Sequence, residues 1–232
     1  MRKKYLIIGG SSGIGAELVN RLSAKHQVIA TYYRHPLESN EQVQYVKWDA
    51  ANEEADFSFI PDVLHGLVYC PGSIQLKPMT AFREQDFIMD YRVNVVGALR
   101  ILQKALPALK KSGSASVVLF STVAVQTGMP FHALVASSKG AVEGLTRSLA
   151  AEWAPNIRVN AIAPSLTDTP LAAGLLNLDT KRQAMANRHP LKRIGTALEI
   201  AGIAEFLLSD EASWMSAQVI HADGGMGNIK IN

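Results

Sequence analysis

Short apolar runs rich in β-branched and aromatic residues alternate with longer stretches whose apolar positions recur every three or four residues. The first pattern suits buried strands and the second amphipathic helices. Strands are predicted near 4–8, 27–32, 43–47, 64–70, 115–121, 156–162 and 217–222. Helices are predicted near 14–25, 84–111, 132–153 and 197–208, with Gly113 and Pro155 as stop signals after two of them. Strands alternating with helices point to an α/β chain with a doubly wound parallel sheet of Rossmann type. The stretch from Ala50 to Pro61 carries Glu53, Glu54 and Asp56 and is too brief for a full crossover helix, so a turn or loop is expected there. The segment 167–190 has weak periodicity and follows a strand end, so it reads as a cap over the sheet's carboxyl edge, where loops and short helices usually shape access to a site.

A chain of 232 residues, 48% of them hydrophobic, holds one sizeable core and is short for two, so a single domain, 1–232, is expected. The lone Cys70 excludes an intrachain disulfide and suits a reducing, cytoplasmic setting. Its place at the end of a strand reads as packing, not as a nucleophile. The apolar run after Met1-Arg2-Lys3-Lys4 is too short for a signal peptide, and no stretch could span a bilayer, so no membrane partner is expected. Net charge is +3, but the basic residues are scattered, which argues against nucleic acid. No metal site is read.

The richest chemistry lies in Gly9-Gly10-Ser11-Ser12-Gly13-Ile14-Gly15, which closes an apolar strand and opens a helix through Ala16, Leu18, Val19 and Leu22. In that context the backbone amides and the helix N-terminus face a pyrophosphate, while the glycines permit the tight turn and close approach of the ligand. A dinucleotide is the implied cofactor. At the end of the second strand stand Tyr32-Tyr33-Arg34, with no carboxylate to hold the ribose hydroxyls of NAD. Arg34 can pair with a 2′-phosphate, so NADP is favoured over NAD.

The Gly-x-x-x-Gly-x-Gly spacing resembles the short-chain dehydrogenase/reductase family, and the resemblance runs nearly end to end. Further matches are Asp49, Asn94 in Val93-Asn94-Val95-Val96-Gly97, Ser121-Thr122, Ser137-Ser138-Lys139-Gly140, Arg158-Val159-Asn160-Ala161-Ile162-Ala163-Pro164, and the closing Asp223-Gly224-Gly225. The resemblance implies Asp49 and Ala50 beside the adenine, Gly72 along the cofactor and Lys139 on the nicotinamide ribose. It also implies that the loop from Pro164 through Thr167 to Thr169 touches the carboxamide. Homodimers or homotetramers through the long helices are a further implication, as is a small-molecule substrate with a carbonyl, an alcohol or an activated C=C bond.

Against the same pattern, the position of the family's proton-carrying tyrosine, four residues before Lys139, is Val135, and an isopropyl group carries no proton. Thr122 stands where serine is usual, Ser165 where glycine follows the proline, and Tyr69-Cys70-Pro71-Gly72 replaces Asn-Asn-Ala-Gly. The change at Tyr69 and Cys70 questions how the central strands are tied to the cofactor loop. His132 lies seven residues before Lys139, the tyrosine spacing of the related enoyl reductases, and is the substitute proton carrier on this reading. Asn94, Thr122, Lys139 and His132 are thus the expected catalytic set. The alternatives are an NADP-binding sensor without turnover and a structural subunit.

Overall fold

The structure, a computed structural model, describes residues 2–229. Its centre is a seven-stranded parallel sheet formed by β1 (Lys4–Ile8), β2 (Gln27–Tyr32), β3 (Val43–Lys47), β4 (Gly66–Tyr69), β5 (Ala115–Phe120), β6 (Ile157–Pro164) and β9 (Val219–Ala222). Their order is β3-β2-β1-β4-β5-β6-β9, so the direction of winding reverses between β1 and β4. At such a point the connections leave in opposite directions and open a crevice at the carboxyl ends of the strands. Two more short strands, β7 (Thr167–Asp168) and β8 (Gly195–Thr196), pair outside the main sheet.

The central strands are near-continuous apolar runs because helices cover both faces. Along β1, Leu6 and Ile8 join one apolar cluster with Leu67, Leu119 and Ile101, whereas Tyr5 and Ile7 join another with Val68, Leu18 and Ala204. The two-residue period of the strand thus divides the core between the layers. One layer contains α3 (Gly97–Lys111) and α4 (Ala133–Trp153); the other contains α1 (Gly13–Ser23) and α6 (Ala197–Leu208). In α3 the buried positions Ala98, Ile101, Leu102, Ala105, Ala108 and Leu109 repeat at helical spacing. Thr196 opens α6 with a reciprocal cap: its hydroxyl accepts from the Glu199 amide at 3.3 Å, and the Glu199 carboxylate accepts from the Thr196 amide at 2.9 Å.

The helix predicted over 84–111 is interrupted. It comprises α2 (Glu84–Tyr91), a π-helical turn over Arg92–Val96, and α3. The Gly97 amide there reaches back to the Arg92 carbonyl, five residues away, which inserts one residue without breaking the rod. The connection from β3 to β4 contains turns and no helix, as its length suggested. Within 167–190 lie β7, a 3₁₀ segment Pro170–Leu175 and α5 (Asp179–Asn187). Among the described residues, no helix is long and apolar enough to cross a membrane.

Candidate active site

The turn after β1 supplies the backbone of a cleft at the sheet's reversal point. Gly9 and Gly13 have φ of +77° and +54°, conformations that side-chain-bearing residues rarely adopt. At Gly15 a Cβ would lie 2.2 Å from the Gly9 carbonyl oxygen, so only glycine lets the first turn of α1 sit against the strand end. Ser12 precedes α1 without a side-chain cap bond, and no acidic residue occupies the helix's first turn. The amides at that terminus therefore remain available to an anion. A contribution not foreseen is Thr31, whose hydroxyl accepts from the Gly9 amide at 2.9 Å and fixes the turn to β2.

The cleft has a volume of about 650 Å³. Gly9, Ser11, Ser12, Gly13, Ile14 and Gly15 form one side of it. Tyr32, Arg34, Asp49 and Ala50 line the end beyond β2 and β3, and Gly72 and Thr169 line the other. The Arg34 guanidinium lies over the Tyr33 ring, 5.2 Å from its centroid, and has no carboxylate partner among the described residues. Tyr69 meets the question raised by its departure from asparagine: its hydroxyl donates to the Val93 carbonyl at 2.5 Å and ties β4 to the π turn.

A second cavity, about 240 Å³, shares Ile14, Cys70, Gly72 and Thr169 with the cleft. Lys139, Thr122, Val135 and His132 line it, as do Pro164 and Thr167. Val135 and Lys139 are one turn apart on α4 and so occupy one face. Three of the four expected catalytic side chains thereby share a chamber. Asn94 is the fourth and lies fully buried behind it.

Gly72 joins these groups. A Cβ there would lie 3.4 Å from both Asn94 Oδ1 and Lys139 Nζ, so the bare glycine brings backbone to the two side chains. The Asn94 amide nitrogen donates to the Asp90 carbonyl at 2.9 Å, but among the described residues Asn94 Oδ1 is buried without a partner, as is one oxygen of the Asp90 carboxylate. The other carboxylate oxygen accepts from the Ser73 hydroxyl. Burial pulls the Lys139 ammonium down to about 8, with the Asp90 charge and Cys70 opposing that shift. Burial pushes the Cys70 thiol up to about 12 despite Lys139, which fits its reading as a packing residue. Neither Ser73 nor Asp90 was singled out by sequence, although Asp90 precedes Asn94 by one helical turn.

Thr122 follows β5, and its hydroxyl oxygen accepts from the Ala124 amide at 3.4 Å, leaving its proton free to donate. Neighbouring Ser121 is committed elsewhere: it donates to the buried Glu143 carboxylate at 2.8 Å. His132 stands half-buried at the start of α4, and its Nδ1 lies 2.7 Å from the Pro130 carbonyl. A second imidazole, His189, also lines the cavity beside Ser165. Among the described residues, no group of three His, Cys, Asp or Glu side chains is placed to hold a metal.

A family model described as enoyl-(acyl carrier protein) reductase matches residues 9–227. A tropinone reductase homologue from Arabidopsis thaliana is 34% identical, the match covering 95% of this chain and 91% of the relative. A tropinone reductase homologue from Datura stramonium is 30% identical over 95% of this chain and 90% of its own length. Among solved structures, the ligand-free aldohexose dehydrogenase of Thermoplasma acidophilum superposes with a TM-score of 0.91 at 27% identity, covering all of this chain and 97% of that one. ElxO with NADP bound superposes with a TM-score of 0.87 at 26% identity, over 97% and 99% of the two chains.

Proposed function

The chain belongs to the short-chain dehydrogenase/reductase family, and within it we propose an oxidoreductase that moves hydride between NADP(H) and a small, mainly apolar carbonyl, alcohol or activated C=C compound. The observation that carries this reading is the convergence of Lys139 Nζ and Asn94 Oδ1 on Gly72, where the cleft and the cavity share a wall. The NADP-bound ElxO relative supports a nicotinamide dinucleotide in the cleft. The uncapped start of α1, the orphaned Asn94 oxygen and the unpaired Arg34 fit its pyrophosphate, a polar partner and a 2′-phosphate respectively. Asp49 and Ala50 would flank the adenine, and Pro164, Thr167 and Thr169 the carboxamide.

When bound, the nicotinamide supplies or accepts hydride. Lys139 would hold the adjoining ribose, and its charge favours an oxyanion developing nearby. Thr122 would donate to the substrate oxygen. Phe120, Met129, Leu171, Leu175 and Met185 give the cavity apolar walls. Residues 167–190 serve as the cap. Val135, at the position where the family resemblance expects tyrosine, supplies no proton, but His132 and His189 both face the chamber. Self-association would use Ile88, Tyr91 and Leu99, which leave apolar surface exposed on the long helices.

The deciding experiment is NADPH consumption against panels of ketones and activated alkenes by wild type, Lys139→Ala and His132→Ala. Substrate-dependent consumption that survives unchanged in Lys139→Ala rejects the proposed centre. Val135 also favours a second reading, a dinucleotide-binding sensor without turnover. Tight NADPH binding with no turnover on either panel selects that reading.

A further inference from the structure

We propose that Ser165 and His189 form the proton relay for the reacting oxygen, an assignment that rests on the oxidoreductase reading above. Ser165 Oγ and His189 Nε2 are 2.8 Å apart. On the other side of the ring, His189 Nδ1 lies 2.9 Å from the Met185 carbonyl oxygen. A carbonyl only accepts, so Nδ1 carries a hydrogen in either charge state of the ring. In the neutral ring, Nε2 is then the lone-pair nitrogen, and the Ser165 hydroxyl must donate to it. The imidazole is oriented by one bond and presents a base to a hydroxyl through the other, the arrangement that raises the proton-transfer capacity of a serine.

Position favours the same role. His189 is 2% exposed, and both residues line the cavity that Lys139, Thr122 and Val135 line. Ser165 directly follows Pro164 at the end of β6, on the wall where the family pattern has a glycine and therefore no side chain. Its oxygen touches Met226 Sδ at 3.3 Å, a weak acceptor, and receives no donor from the described residues when His189 is neutral. Its lone pairs remain open to a substrate hydroxyl. The other hydroxyl at a strand end, Ser121, is tied to Glu143.

In the oxidative direction, the substrate O–H proton passes to Ser165 Oγ as the Ser165 proton passes to His189 Nε2. The carbinol C–H bond would break with its electron pair passing to the oxidised nicotinamide, when that cofactor is bound, as the C=O bond forms. Imidazolium is left at His189 and, once product has left, returns its proton through Ser165 Oγ to water entering the cavity. Reduction reverses each transfer, starting from protonated His189.

The test combines nitrogen NMR of histidine-labelled protein without cofactor with kinetics of wild type, Ser165→Ala, Ser165→Thr, His189→Gln and His132→Ala. The expected ring has a protonated Nδ1 and a hydrogen-bonded, unprotonated Nε2 whose shift moves in Ser165→Ala. The expected kcat falls about 100-fold or more in Ser165→Ala and His189→Gln, with NADPH affinity retained and much of the rate restored by Ser165→Thr. A solvent isotope effect present in wild type and altered in Ser165→Ala separates proton transfer from a merely structural role. Protonated Nε2 in the neutral ring, a kcat for Ser165→Ala within about threefold of wild type, or a loss confined to His132→Ala would overturn the relay while leaving the oxidoreductase reading intact. Absence of turnover by wild type that still binds NADPH would overturn both.

Discussion

The Tyr69 hydroxyl occupies the space that a side chain on Gly97 would need: a Cβ at Gly97 would lie 2.4 Å from Tyr69 Oη and 3.0 Å from the Ala50 carbonyl oxygen. Gly97 follows the π turn that carries Asn94, and Tyr69 ends β4, so the pair locks the buried asparagine to the sheet. Gly97→Ala is expected to destabilise the chain by about 1–3 kcal/mol through overpacking. Tyr69→Phe removes one hydrogen bond and should cost about 1 kcal/mol. Because the two changes act on one space, the double variant should lose less than the sum. Chemical denaturation of the four proteins measures the coupling.

Lys139 should make stability depend on alkaline pH. Its folded-state value near 8 lies below the unfolded lysine value of about 10.4. Between these values the unfolded chain binds more protons, so stability rises with pH across that window, and the burial penalty is present in full below it. Lys139→Met should therefore raise the denaturation midpoint at pH 7. The advantage should shrink as pH approaches about 10. NADPH affinity of the wild type should move the other way, weakening above pH 8 as the ammonium loses its proton.

Arg34 is placed to decide between the two nicotinamide dinucleotides. If it pairs with the 2′-phosphate, Arg34→Ala should weaken NADPH binding by roughly 10- to 100-fold, the size of a charge-assisted pair, and leave NADH nearly unchanged. Fluorescence titration with both cofactors provides the comparison. Equal losses for both would remove the basis for preferring NADP.

Val135 is 9% exposed and faces the cavity one turn before Lys139. Replacing it with tyrosine adds a phenol to the chamber wall. Val135→Tyr is expected to change kcat more than NADPH affinity, because the added group meets the substrate end. Activity found only in that variant would favour the sensor reading.

Much of this arrangement was legible because it is local. The strands at 4–8, 27–32 and 43–47 and the helix at 197–208 coincide with the observed elements, each having its period and end signals inside one short window. The π turn was hidden within the prediction over 84–111, since one inserted residue barely disturbs a 3.6-residue pattern over such a length. The two-residue strands β7 and β8 are too short to have a period. At the site, the glycine turn announced itself through backbone demands, whereas the bond between Ser165 and His189 joins residues 24 positions apart. Only the unusual side chain after Pro164 signalled that wall in advance.

The shared wall of Ile14, Cys70, Gly72 and Thr169 has a consequence for timing. A dinucleotide seated in the larger cleft would form part of the boundary of the smaller cavity, so the substrate would meet a finished chamber only afterwards. Catalysis should therefore follow a compulsory order, with cofactor entering first and leaving last, and excess substrate should trap the spent cofactor in place.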